Sequence, residues 1–465
     1  MFKLKQVDKS KKSIKNLSFS FWICLFITLF YICTYNLFRT WSGSTPFVND
    51  VDQYYSYLIA LFIENDLTFH FENSYWLQQS ATGQYVPKVS MGMSIVYLPG
   101  FLIGHFIAKL TNNPVSGYSW PYFWSIYYCS ILYAIIGLWK LRSILKLYIS
   151  DISVALTLLS IYIGTNLLFY VLGLGEMPHN YLFVLYVFSL DQIIKFHKTN
   201  KISNLYILTF LTSIIILIRP VEILFLLFPL IYNINSKETL YQKIDLIKNI
   251  SWRWMIVILI FILTLSPQLI YWKIMTGDYL FFSYGNNERF FFNKPQILNF
   301  LISFKKGWIV YSPIMIFSII GLFFSKKYFK EISISLPVFL VVIIYFLSSW
   351  WSWWYGGSYG NRAMIQYYVF LSFPLAFFYE KFFPKKLMLT LGSIIIVFFI
   401  SLNIYQTKLY RSGFLHWDGM NRKSYQYLMN HRIDENFNLK YYQKLLKEPN
   451  YEAATKGKYL YRWYE

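Results

Sequence analysis

The chain has 465 residues, of which 56% are hydrophobic, 22% aromatic and only 14% charged, with a formal net charge of +21. Soluble domains place about 25% of their residues in the charged class, so a water-facing globular protein is excluded and a polytopic membrane protein is expected. The Lys and Arg residues fall in short clusters between apolar runs, which argues for orientation in a bilayer and against a nucleic-acid partner.

A helix needs about 20 apolar residues to cross the hydrocarbon. The first such segment, 17–38, follows a basic leader (Lys3, Lys5, Lys9, Lys11, Lys12, Lys15). It is longer than a signal-peptide core and has no small-x-small cleavage site, so it reads as a retained anchor. The cysteines, Cys24, Cys33 and Cys129, lie inside apolar runs with neither zinc-site spacing nor disulfide density, and carry no assigned function.

A loop over 39–119 follows, opening with FVNDVDQYYSYLIALF (Phe47 to Phe62). Tyr54, Tyr55, Leu58, Ile59 and Phe62 recur at helical spacing, which predicts a helix lying along the membrane surface. One of Asp50 and Asp52 can serve as its N-cap. The second is not needed there, and an acid at the rim of a bundle can take a proton from an acceptor or hold a divalent cation. Lys88, in VPKVSMG, suits a lipid phosphate as a point charge, although snorkelling to anionic headgroups explains it as well.

Topology turns on Ser90–Leu110, which carries Gly92, Pro99, Gly100, Gly104 and His105. If it spans, Lys140, Arg142 and Lys146 fall on the outer side. If it lies in or dips into the outer interface, every following basic cluster falls inside, as the positive-inside rule requires. The second choice gives about eleven spans: 17–38, 120–139, 152–173, 179–196, 203–218, 221–235, 252–274, 308–324, 332–350, 363–380 and 387–406. The predicted fold is therefore all-α, a transmembrane bundle over 1–406 with outer interfacial helices, and a small polar outer tail over 407–465 that is helical near 423–429 and 439–447.

The remaining polar motifs then fall on the outer face. Glu176 and His179, in GEMPHN, sit at a junction of two helices; together they can contact a phosphate or metal, or simply hydrogen-bond. Arg219 and Glu222, in IRPVE, are either a mutual i, i+3 pair or a phosphate-facing arginine with its neighbour. The turn WWSWWYGGSYGNR ends at Arg362; an aromatic belt explains most of its tryptophans, but its glycines permit a sharp turn close to a ligand. Its aromatic faces, Trp354 and Tyr355 among them, can stack on a sugar ring.

In order and spacing these elements (NDVDQYY, then VPKVSMGMSIVYLPGF, then Arg219-Pro220 and WYGGSYGNR) resemble the integral-membrane glycosyltransferases of the GT-C type, such as protein O-mannosyltransferases and the lipid A aminoarabinose transferase. The resemblance implies a polyprenyl-phosphate-linked sugar donor, a catalytic carboxylate in the first outer loop (Asp50 or Asp52), and transfer on the non-cytoplasmic face to a glycan, lipid or protein acceptor. It implies a bacterial inner-membrane protein with a cytoplasmic N-terminus. The aspartate-glutamate pair of the mannosyltransferases is absent, Gln53 following Asp52, so the choice of aspartate and the use of a metal stay open. On this reading Lys88, Arg219, His179 and Arg362 hold the donor phosphate, and Tyr54, Tyr55, Glu176, Trp354 and Tyr355 line the sugar and acceptor. No cofactor is implied with certainty; if a divalent cation is used, Asp50, Asp52 and His179 are its candidate ligands. The alternatives are a transporter or flippase of a lipid-linked saccharide, a surface-polysaccharide polymerase or ligase, and a non-catalytic scaffold.

Overall fold

The computed structural model describes residues 18–41, 47–71, 77–285, 288–459, 461, 462 and 464; the basic leader lies outside them. The helices in chain order are α1 (Phe19–Phe38), α2 (Asp50–Phe62), α3 (Gly92–Leu110), α4 (Trp120–Leu145), α5 (Asp151–Tyr162), α6 (Leu167–Leu172), α7 (Pro178–Thr199), α8 (Ile202–Ile218), α9 (Leu227–Ile231), α10 (Lys237–Ile250), α11 (Trp254–Thr276), α12 (Ile297–Ile302), α13 (Trp308–Tyr311), α14 (Ile316–Gly321), α15 (Ser325–Tyr328), α16 (Ser335–Ser348), α17 (Tyr368–Phe382), α18 (Lys386–Arg411), α19 (Arg422–Asn430), α20 (Leu439–Leu445) and α21 (Tyr451–Thr455). One two-stranded hairpin, Gln78–Gln79 with Tyr85–Val86, is the sheet found among the described residues.

Six segments among the described residues are long and apolar enough to cross a membrane: Phe19–Phe38, Gly92–Leu110, Trp120–Leu145, Lys237–Thr276, Lys330–Ser348 and Lys386–Arg411. Several other expected spans are interrupted. The 152–173 run breaks between α5 and α6, and the 308–324 run breaks into short α and 3₁₀ turns after Pro313. A broken helix in a bundle is tolerated where other groups take up its freed carbonyls. Here Asn403 of α18 donates to the Ile163 and Thr165 carbonyls at 2.7 and 2.8 Å.

The α3 helix, expected in the interface, has spanning length. It lies along the first half of α4: a Cβ at Gly104 would stand 2.7 Å from the Tyr122 Cα, one at Gly100 would stand 3.1 Å from the Ile126 Cα, and Tyr133 donates to the Val96 carbonyl. Its glycines are explained by this close approach, the small-residue packing of membrane helices.

The α2 helix differs from the surface helix expected. Val51 and all residues from Gln53 to Ala60 are buried, because α3 covers one side and Tyr57 packs on Phe69 and on Tyr271 of α11. Neither aspartate is the N-cap. That position is Asn49, in the left-handed region at φ 53° and without a side-chain cap bond; Asp50 and Asp52 both sit in the first turn, where negative charge complements the helix dipole.

The basic clusters meet at one end of the bundle. Lys140 and Lys195 both pair with Asp191, at 2.6 and 2.8 Å; the Lys198 ammonium lies over the Tyr148 ring, itself stacked on Phe329; and Lys243 reaches His197 at 2.7 Å. At the other end α7 and α17 begin and α8 finishes, which brings His179, Arg362 and Arg219 to one level.

Candidate active site

Four chain segments converge at that end, each placed by a local irregularity. Arg219 is at the end of α8, where Pro220 turns the chain into a 3₁₀ segment, Pro220–Leu226. Arg362 follows a turn in which Tyr355, Gly356 and Gly360 all take left-handed φ angles of 59°, 63° and 58°. Lys88 is held just after the hairpin by its own backbone: its N–H donates to Gln53 Oε1 at 2.8 Å, and Ser283 donates to its carbonyl. Asp50 opens α2.

Their side chains form three cation–carboxylate pairs. Lys88 Nζ lies 2.6 Å from Glu288 Oε1, Arg219 Nη1 lies 3.6 Å from Glu222 Oε1, and Arg362 Nη2 lies 4.0 Å from Asp50 Oδ2. The pairs surround Tyr54, Tyr284 and Tyr355. Arg219 and Arg362 act electrostatically on all three hydroxyls and Asp50 acts on the first two, while Lys88 Nζ sits 4.7 Å from the Tyr284 ring centre. Burial pushes the Tyr54 phenol well above its usual range, so it is a neutral donor.

The three pairs are not equivalent. Glu222 is fully buried and also accepts from Tyr186 at 2.6 Å, Tyr367 at 2.7 Å and Gln366 at 2.9 Å, a satisfied network that fixes it. Its oxygens are committed to those donors, and Arg219 Nη1 is left buried without a hydrogen bond. Asp50 is the open carboxylate, its side chain 52% exposed, and 4.0 Å is too long for a hydrogen bond to Arg362.

Other expected residues lie elsewhere or serve differently. Asp52, two positions on, points away from Asp50, because 200° separates them around a helix. It faces Tyr118, whose hydroxyl donates to it at 3.4 Å, and burial pushes its carboxyl up. Tyr55 stacks on Phe47 and donates to the Gly117 carbonyl at 2.7 Å, outside the cluster. Trp354, expected to stack on a sugar, is fully buried against Tyr451 and Tyr459 with the Lys305 ammonium 5.4 Å away. Glu176 is buried against Trp41, whose ring N–H donates to it at 3.0 Å.

His179 is buried beneath the cluster, its Nδ1 3.3 Å from Gln366 Oε1, and Gln366 in turn donates to Glu222. It supports Arg219 through this chain instead of facing a ligand. Asp50, Asp52 and His179 therefore do not converge as a cation site, and no group of three or more His, Cys, Asp or Glu suited to a metal occurs among the described residues.

Three contributors escaped sequence reasoning: Glu288, Tyr284 and Trp351, whose indole N–H donates to Glu288 Oε2 at 3.3 Å. Glu288 is one of two acids in the loop 275–307, and that scarcity was the available signal.

No protein-family model matches the chain, and no curated protein matches it. Among solved structures, the fold is similar to that of the archaeal oligosaccharyltransferase AglB from Archaeoglobus fulgidus, solved in complex with an inhibitory peptide and a dolichol-phosphate, with a TM-score of 0.51 at 11% sequence identity. The match covers 96% of this chain and 61% of the archaeal one, so this chain spans less than two thirds of its neighbour's length and shares with it the membrane-bundle fold.

Proposed function

We propose that the chain is an integral-membrane glycosyltransferase that moves a sugar from a polyprenyl-phosphate donor to an acceptor hydroxyl or amine on the non-cytoplasmic face. The carrying observation is the half-exposed Asp50 carboxylate standing among Arg362, Arg219 and Lys88 at one end of the bundle. A carboxylate 4.0 Å from Arg362, with Arg219 and Lys88 acting on the same tyrosines, suits a reaction in which a proton is removed on one side of the anomeric carbon and a phosphate departs on the other. The fold neighbour's dolichol-phosphate, itself a polyprenyl phosphate, supports that donor class.

In this reading the donor phosphate is held by Arg219 and Arg362, with Lys88 recruited from Glu288. Asp50 accepts the acceptor's proton as the acceptor oxygen or nitrogen bonds to the anomeric carbon. The bond from that carbon to the phosphate oxygen breaks, its electron pair leaves with the phosphate, and the cations offset the developing charge. Tyr54, Tyr284 and Tyr355 frame the site as neutral donors.

The test is transfer from labelled polyprenyl-phosphate hexoses and pentoses in membranes carrying Asp50→Asn or Asp52→Asn. Loss of a general base costs roughly 10²- to 10⁴-fold, expected for Asp50→Asn, whereas Asp52→Asn should stay within a few fold of wild type. Full activity in Asp50→Asn sinks the proposal.

A further inference from the structure

Two lysines outside this site are fully buried, an arrangement that needs a reason because burying an ammonium opposes its charge. Lys305 donates to the Asp418 carbonyl at 2.7 Å, and Lys306 donates to the Ser358 carbonyl. Ser358 is at the centre of the glycine-rich turn. Its hydroxyl donates to the Gly360 carbonyl at 3.1 Å, and its N–H donates to the Trp417 carbonyl at 3.3 Å. The turn on either side needs three residues with positive φ, one of them Tyr355, whose side chain makes that conformation unfavourable. A turn of this kind persists only where its surroundings hold it.

We propose that Lys306 is a positioning residue of the candidate active site: it fixes the Ser358 carbonyl, and through it the 354–362 turn, so that Arg362 stands beside Asp50. This rests on the reading of Arg362 as a phosphate ligand. Burial, together with Lys305 and Arg362 nearby, pushes the Lys306 ammonium down to about 7 against the pull of Asp418, and in either protonation state its nitrogen keeps an N–H to donate to the Ser358 carbonyl. Lys306 forms no hydrogen bond or ion pair with the cluster side chains; its bond is to the Ser358 carbonyl, and Arg362 acts on it only electrostatically. The tail takes part in the same structure, since the Asp418 carbonyl holds Lys305 and the Trp417 carbonyl accepts from Ser358 of the turn.

The experiment measures binding of decaprenyl phosphate, without a sugar, to the purified full chain in detergent for wild type, Lys306→Met, Lys306→Arg, Arg362→Gln and the double variant Lys306→Met/Arg362→Gln. Arg362→Gln is expected to weaken binding about tenfold, the loss of one charge-assisted contact. Lys306→Met should weaken it comparably, Lys306→Arg should recover most of the loss, and the double variant should bind no more weakly than Arg362→Gln alone. A residue that merely supports the fold would lower thermal stability without this non-additivity. Wild-type binding by Lys306→Met, or losses that add in the double variant, overturns the inference and leaves the site reading intact. Wild-type binding by Arg362→Gln overturns both, because Arg362 would then hold no phosphate. If Lys306→Met does not fold, Lys306→Leu, which likewise removes the donor, replaces it in the same cycle with the same criteria.

Discussion

Lys88 and Glu288 are each 24% exposed and meet at 2.6 Å, so their pair is neither as fixed as Glu222 with its three extra donors nor as loose as Arg362 with Asp50. Under the proposed function, an arriving donor phosphate competes with Glu288 for the lysine. A partly exposed pair of this kind is worth about 0.5 to 1 kcal/mol, which converts to roughly two- to fivefold in affinity. Glu288→Gln is therefore expected to lower the KM for a polyprenyl-phosphate donor by that factor with little change in kcat; a raised KM would show that Glu288 assists binding. The acid-rich opening of the first loop drew attention to Asp50 and Asp52 together, because both precede the same helical run. Only the helix rotation separates them, one toward Arg362 and the other toward Tyr118. Glu288 carried no comparable signal, since its partner is 200 residues away in the chain.

At the scale of the elements, packing is set by where backbone approaches backbone. A Cβ at Gly321 of α14 would lie 1.7 Å from the Pro374 carbonyl oxygen of α17, a contact that no side-chain rotation relieves. Gly321→Ala is expected to cost about 1–3 kcal/mol or more through overpacking, read as a lower unfolding temperature and lower yield in detergent; an unchanged transition would show that the two helices can part. Apolar length made the long helices α1, α4, α7, α11 and α18 legible, and the polar tail was expected to be helical near 423–429, where α19 forms behind an Asn421 cap. The breaks were not legible. The chain interrupts 163–166 because Asn403, Tyr368 and Ser312 supply partners there from three other segments, and none is close in sequence. The burial of α2 has the same origin, since an amphipathic pattern on a surface helix and on a covered one differ little until its neighbours are in place.

For the whole molecule, the buried acid Glu176 couples stability to pH. Burial raises its carboxyl to about 7 from an ordinary value of 4.5, with the Trp41 indole and Arg39 pulling the other way. The folded chain therefore binds more protons than the unfolded chain across that window, and this contribution, complete below 4.5, is lost as pH rises through about 7. Glu176→Gln, which keeps an acceptor for Trp41, should remove that decline: its unfolding temperature relative to wild type should rise from pH 4.5 to 7.5, and a difference that stays constant would refute the assignment. The sequence by itself determined a helical membrane protein whose basic clusters are separated from its acidic, aromatic and glycine-rich motifs, because hydrocarbon length and the cost of charge act on local composition. Which of those motifs meet was decided by the tertiary structure. Ion pairing and burial depend on distance in space, and the contacts that set Asp50 beside Arg362 and Asp52 beside Tyr118, bury Trp354 and set Lys306 under the turn each join residues far apart in the chain.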